Sequence, residues 1–535
     1  MAVLLSLSAL ADKFRLPYPV ILVVVGIMIG FIPRIPIVTL QPETVFLIFL
    51  PPLLYDAASK TSWNDFKKAI RPISTLAITL VFFTTTAVAV AAHSLIPGFS
   101  WALGFVLGAI VSPPDAVAAT SITKGLGLNK KVITILEGES LVNDASALIA
   151  YHYAVAAVTT GVFVFWRAGM QFVWHAVGGV GIGLVTGYLF VFIHKRIHHS
   201  SLVETSLTLL TPFVAYLAAE IFHTSGILAV VCTGLFLSRQ SNEVFSSLTR
   251  MKSKVVWDTL IFLLNGMIFI LMGLQLPDIL GKLDKYSMVQ LIKYSSIISL
   301  VVISVRILWV FGGAFGQKLL GGPSIGNDFY SEQDKSLWKN VLIVSWTGTR
   351  GIVSLATALA LPTVMGDGNS FPSRPLILFL AFVVIFMTLI VQGLSLPLLL
   401  QVLNVKKLEH SNLEGKELRL TVAESTIHFI ETTFPIDLAP PVESNIKNHY
   451  EEISRRLRKE LEAVGDLEKR DPDSQNLLLS DLIAAQVEIL KFQRSLLIKF
   501  QKENRFSDEV LKRLENELDI EDLRLNTLLQ NAKQS

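Results

Sequence analysis

Over residues 1–403 the chain runs in long apolar stretches separated by short polar ones, and beyond them the pattern stops. Stretches such as Leu76–Ala92, Phe172–His194 and Leu376–Leu400 are long enough to cross roughly 30 Å of hydrocarbon as helices. The period-two alternation of an outer-membrane barrel strand is absent. Counting the stretches predicts an all-α polytopic membrane protein. About thirteen spans are expected, near 1–12, 17–32, 42–58, 70–93, 101–122, 131–160, 170–193, 203–222, 225–239, 255–277, 288–317, 338–363 and 374–403. Met1–Ala11 reads as a short first span and not as a cleaved signal, because it lacks a basic leader and runs into Asp12, Lys13 and Arg15.

From about Val405 the pattern changes to charged, helix-forming sequence. Asn445–Gly465 and Asn476–Lys502 carry apolar residues at three- and four-residue spacing, with a turn expected at Asp471-Pro472-Asp473. The expected division is a transmembrane domain, 1–403, and a soluble helical tail, 404–535. The tail has no metal-ligand spacing or phosphate loop and reads as a dimerisation or regulatory appendage. Composition agrees: 52% of the 535 residues are hydrophobic and 17% charged. The formal net charge is +3, but the basic residues lie between apolar runs, where they report orientation and not nucleic-acid binding. Alternate loops gather most of them, which places the N-terminus outside and the tail in the cytoplasm. The single cysteine, Cys232, lies in an apolar run and is expected to pack.

Ile21-Leu22-Val23-Val24-Val25 in the second span is echoed by Ile227-Leu228-Ala229-Val230-Val231 in the ninth. Each is the second span of a six-span half if the seventh span is a linker. Halves so placed would be inverted in the membrane.

Ionisable residues inside these spans narrow the function, since one at mid-bilayer costs about 2.5–3.5 kcal/mol even on the gentler insertion scale. The fifth span contains Ser112-Pro113-Pro114-Asp115. Two consecutive prolines remove two backbone donors, so the helix should break there and free carbonyls beside a carboxylate, a combination suited to a hard cation. The sixth carries Glu137-Gly138-Glu139-Ser140-Leu141-Val142-Asn143-Asp144. On a helix, Glu137, Glu139, Ser140, Asn143 and Asp144 fall within an arc of roughly 160°, so protons and cations would compete for clustered carboxylates. The twelfth holds Trp346-Thr347-Gly348-Thr349-Arg350-Gly351, a second expected break with a lone cation. Paired breaks in corresponding spans of two halves point to a midplane transport site. Arg350 stays charged and needs a buried acid, for which Glu139 is the first candidate.

Other polar residues are less decisive. Asp56 reaches the cavity or sits at the interface. Arg306 pairs with an acid or snorkels, and His194, His198 and His199 fall in a basic loop that marks topology or senses pH. No nucleophile, metal or nucleotide motif suggests an enzyme, and no cofactor is expected.

Together, Ser112–Ser121, Glu137–Ala147 and Trp346–Ala360 resemble the signature segments of the monovalent cation:proton antiporters of the sodium/proton exchanger group, and most closely its bacterial Asn-Asp type. The resemblance covers about residues 10–403 and not the tail. It implies Asp144 as the ion and proton carrier, paired with Asn143. Ser140 would contact the ion, Asp115 would shape its site, and Glu139 and Arg350 would form a buried structural pair. It further implies a homodimer in a bacterial inner membrane that exchanges Na⁺, or K⁺ or Li⁺, for H⁺ by alternating access. One departure is Pro113-Pro114-Asp115-Ala116 at the break, where many relatives carry Thr-Asp-Pro or Val-Asp-Pro, so a threonine hydroxyl ligand is missing. A cation channel and an organic-anion carrier are the rival readings, the second giving Arg350 to a substrate anion.

Overall fold

A computed structural model describes residues 18–32, 42–115, 130–161, 165–197, 200–320, 337–365, 368–403, 410–432, 444, 447–458, 518 and 520. The first expected span, the loop histidines His198 and His199, the second half of the fifth span and most of the tail lie outside these residues. The chain divides into two compact units, Met1–Val405 and Lys406–Ser535.

The described part of the first unit is helical apart from one isolated bridge between Val364 and Ser370. In chain order its helices are α1 (Tyr18–Gly30), α2 (Pro42–Lys60), the short α3 (Trp63–Lys68) and α4 (Ile70–Leu95, with a π-helical turn at Thr75–Leu80). Next come α5 (Trp101–Val111), α6 (Lys130–Thr160), α7 (Phe165–Arg196), α8 (Ser201–Ile221) and α9 (Gly226–Val244). The last are α10 (Ser247–Leu280), α11 (Met288–Leu320), α12 (Leu337–Trp346), α13 (Ile352–Leu359) and α14 (Arg374–Val402). These positions follow the apolar runs closely. Short connections restart helices at serine caps: Ser100, Ser225 and Ser246 hold extended backbone and accept from Leu103 N, Leu228 N and Thr249 N at 3.3, 3.3 and 3.2 Å.

Among the described residues seven helices are long and apolar enough to cross a membrane, and three shorter apolar ones accompany them. α5 is short because Pro113 and Pro114 end it, and the expected twelfth span is split into α12 and α13 by five non-helical residues, Thr347–Gly351. Helices approach to backbone contact at glycines. A Cβ on Gly26 would strike the Ile270 carbonyl of α10, and one on Gly108 the Thr85 carbonyl of α4, the close packing that small residues permit between membrane helices.

Two apolar cores meet at the level of the α12–α13 break. The larger includes Leu355, Ala356 and Leu359 of α13 with Ile385 and Leu389 of α14. The smaller includes Val341 and Val344 of α12 with Leu396 and Leu400 of α14. His194 is not in a loop: it is buried within α7, its ring 4.8 Å from that of Phe245.

In the second unit α15 (His410–Thr432) faces a helix over 447–458 through exposed ion pairs, Lys447–Glu431 at 2.5 Å and Arg458–Glu424 at 2.6 Å. The Lys447 ammonium holds the Glu431 carboxyl below the usual carboxylate range. Such exposed pairs are screened by solvent and add little stability.

Candidate functional site: a proline-ended helix against an interrupted one

The site is built from backbone groups that proline sets free. In an uninterrupted helix the N–H of residues 113, 114 and 115 would bond the carbonyls of Ala109, Ile110 and Val111. Pro113 and Pro114 have no N–H, and Asp115 donates elsewhere, to the Thr349 carbonyl at 2.7 Å. The carbonyls find other donors: Ser112 Oγ bonds Ala109 O at 3.3 Å, and Arg350 Nε bonds Val111 O at 2.7 Å. Thr349 Oγ1 donates back to Asp115 O at 3.1 Å, and Ser354 Oγ to Pro113 O at 3.4 Å. The non-helical residues after α5 and those of the α12–α13 break therefore meet and exchange hydrogen bonds.

Helix α6 presents its polar face to this crossing. Asn143 Nδ2 donates to Pro114 O at 2.8 Å, while its Oδ1 is buried without a hydrogen bond among the described residues. Asp144, only 5% exposed, makes no hydrogen bond or ion pair among the described residues, and the Asp115 carboxyl is close enough to repel it. Ser140 lies one turn before Asp144, half-buried; it and Asp115 each already have an interaction partner. A buried carboxylate without a hydrogen bond or ion pair among the described residues, beside a second carboxylate and an open amide oxygen, is an arrangement that a proton or a small cation would complete. Gly351 makes room for it, since a Cβ there would fall on the Asp115 carboxyl group.

The expected Glu139–Arg350 pair is corrected. Glu139 is held by Arg306 of α11, Nη1 to Oε1 at 2.6 Å and Nη2 to Oε2 at 2.8 Å, with all three residues only 1% exposed. Arg306 also donates to Val344 O, and Gly348 leaves space for it: a Cβ on that glycine would lie 2.5 Å from Arg306 Cδ. Arg350 instead spends its guanidinium on carbonyls, Val111 O at 2.7 Å and Gly348 O at 2.5 Å, while its N–H reaches Thr388 Oγ1 at 3.1 Å. A donor-only fork beside the carbonyl end of α5 is favoured by the helix dipole as well as by the freed acceptor. The open reading of Arg306 is thereby decided: it pairs with an acid. Spacing alone could not have chosen between the two arginines, but the tandem prolines did announce an acceptor in need of a donor.

Asp56 is buried at the end of α2, 2.8 Å from Lys60 Nζ, which also binds Asp258 at 2.8 Å. Missed by sequence reasoning were Thr388 and Gln392, polar residues inside a strongly apolar helix; their burial in such a run was the available signal.

Residues 1–402 match the profile of the sodium/hydrogen exchanger transmembrane family. A sodium, potassium, lithium and rubidium/H⁺ antiporter of Bacillus pumilus is 34% identical over 74% of this chain, which spans 60% of that relative's length. An uncharacterised Na⁺/H⁺ exchanger of Escherichia coli is 31% identical across 97% of this chain and 96% of its own. A solved sodium proton antiporter of Methanocaldococcus jannaschii shares the fold, with a TM-score of 0.57 at 20% identity over 75% of this chain and 96% of that one. With three quarters of its length under the family profile and its apolar helices folded as in the archaeal structure, the chain belongs to the sodium/hydrogen exchanger family.

Proposed function

We propose that the chain is a secondary antiporter that exchanges a monovalent cation, Na⁺ first among candidates with K⁺ and Li⁺ beside it, for protons by alternating access. The observation that carries this reading is Asp144, buried and without a hydrogen bond or ion pair among the described residues, where the proline-ended α5 meets the α12–α13 break. Deprotonated, Asp144 binds the cation together with Asn143, Asp115, Ser140 and the carbonyl of Pro114. Protonated, it holds no metal ion. The two loads exclude each other, so exchange is obligatory without a leak. A channel would need no such competition. An anion carrier would need an open cation, whereas both buried guanidiniums here are engaged, by Glu139 and by backbone carbonyls.

The same reading takes residues 1–403 as the exchanger domain, with thirteen spans in two inverted six-helix halves, and 404–535 as a cytoplasmic helical tail. It takes the protein as a lipid-embedded homodimer of a bacterial inner membrane. The breadth of ions in the Bacillus relative's name supports testing a cation series.

The test is dissipation of a pH gradient in proteoliposomes on adding Na⁺, K⁺ or Li⁺, with Asp144→Asn alongside wild type. Cation-dependent proton movement that vanishes in the variant is expected. Full exchange by Asp144→Asn would sink the mechanism, and a silent wild type at every pH would sink the function.

A further inference from the structure

Helix α14 is almost wholly apolar, yet Thr388, Gln392 and Ser395 fall within an arc of roughly 60° on one of its faces. The outer two members touch the two ends of the α12–α13 break. Ser395 Oγ accepts from Trp346 Nε1 at 2.8 Å, at the last residue of α12, and Thr388 Oγ1 accepts from Arg350 N at 3.1 Å, just before α13. Gln392 lies between them on the same face of α14, at the seam where the larger core ends at Leu389 and the smaller begins at Leu396. It is 2% exposed, and its Oε1 has no hydrogen bond among the described residues.

A buried amide oxygen left unpaired is costly, and in a helix that could carry leucine there it calls for an explanation. The break supplies the matching groups. The Thr349 carbonyl is taken by Asp115, the Gly348 carbonyl by Arg350 and the Arg350 N–H by Thr388. The N–H groups of Thr349 and Gly351 donate no hydrogen bond among the described residues.

Resting on the exchange reading above, we propose that Gln392 is a positioning residue: its amide oxygen accepts a backbone N–H of the Thr347–Gly351 stretch in the conformation that alternates with the one described. The stretch then has two discrete arrangements, and Gln392 stabilises the second at the expense of the first. It does not contact the transported ion. It acts through the backbone that carries Thr349 and, by that residue's two hydrogen bonds, Asp115.

The test compares wild type, Gln392→Met and Gln392→Glu, each full-length and reconstituted, with melting of the purified proteins alongside. Methionine keeps the length and removes the acceptor; a glutamic acid protonated in this setting keeps it. Expected for Gln392→Met are a melting temperature equal to or above wild type, a maximal rate lower by about tenfold, and a half-saturating Na⁺ concentration changed by less than about twofold. Gln392→Glu should recover most of the rate. A Met variant that exchanges like wild type, or one that melts lower, overturns the inference while leaving the exchange reading in place. A wild type without exchange overturns both.

Discussion

Arg306, Arg350 and Glu139 decide how the interior beside the α12–α13 break is neutralised. Glu139 is satisfied by both arms of Arg306, so Arg306→Met strands a carboxylate in a low-dielectric interior at a cost of about 3–5 kcal/mol. The companion change Glu139→Leu should then recover most of the lost melting temperature. Arg350→Met, which removes a cap on carbonyls, should gain nothing from Glu139→Leu. Melting of the four variants distinguishes these outcomes; recovery in the Arg350 background would restore the pairing expected from sequence. Gly351 offers a second residue-scale prediction. Its missing Cβ is where the Asp115 carboxyl sits, so Gly351→Ala must push that group away from Asp144. Because misplacement by about 1 Å can cost on the order of a hundredfold in rate, cation-driven proton flux should fall steeply while the protein still purifies as a folded species. Flux near wild type would show that Asp115 need not occupy that position.

At the scale of elements, the end of α5 is a property of two prolines. Replacing both, Pro113→Ala with Pro114→Ala, returns two donors to the helix and invites Asp115 N back to the Val111 carbonyl. Asp115 would then release Thr349, and Asn143 would lose its bond to the Pro114 carbonyl as the chain rewinds. Exchange should be lost by about tenfold or more with thermal stability kept or raised, since a continuous helix satisfies its own backbone. Unchanged flux would mean that the crossing is not the site. The breaks themselves were legible because proline and glycine act locally, and the helix positions because an apolar run of hydrocarbon length has few alternatives. Partners across helices were not legible. Nothing in the spacing of Glu139, Arg306 and Arg350 says which of two helices packs on α6, and Gln392 looks like any polar residue in an apolar run until its neighbours on α14 are seen to touch both ends of the break. His194 misled for a related reason: beside Lys195 and Arg196 it reads as loop, whereas burial against Phe190 and Phe245 keeps it inside the helix.

For the whole molecule the open quantity is orientation, and charge makes a definite prediction about it. Basic residues such as Lys60, Lys67, Lys68 and Arg71, and Arg250, Lys252 and Lys254, gather at alternate helix junctions, while the turn after α10 carries only Lys282 and Lys285 beside Asp278 and Asp284. Translocating the richer junctions would work against the membrane potential, so the prediction is that they stay in the cytoplasm and the turn after α10 faces outward. On that assignment α14 starts on the outer side at Arg374, and the tail that follows it is expected in the cytoplasm. Cys232, the one native cysteine, can be replaced by serine to give a silent background. In that background Ser287→Cys, in the exposed turn, should react with a membrane-impermeant maleimide in intact cells. Ser425→Cys, exposed on α15, should react only once the membrane is opened. The reverse pattern would invert the assignment and make the tail a sensor of the other compartment. Labelling of both sites in intact cells would require an even number of spans between them, and so a different path for the chain between α10 and α14.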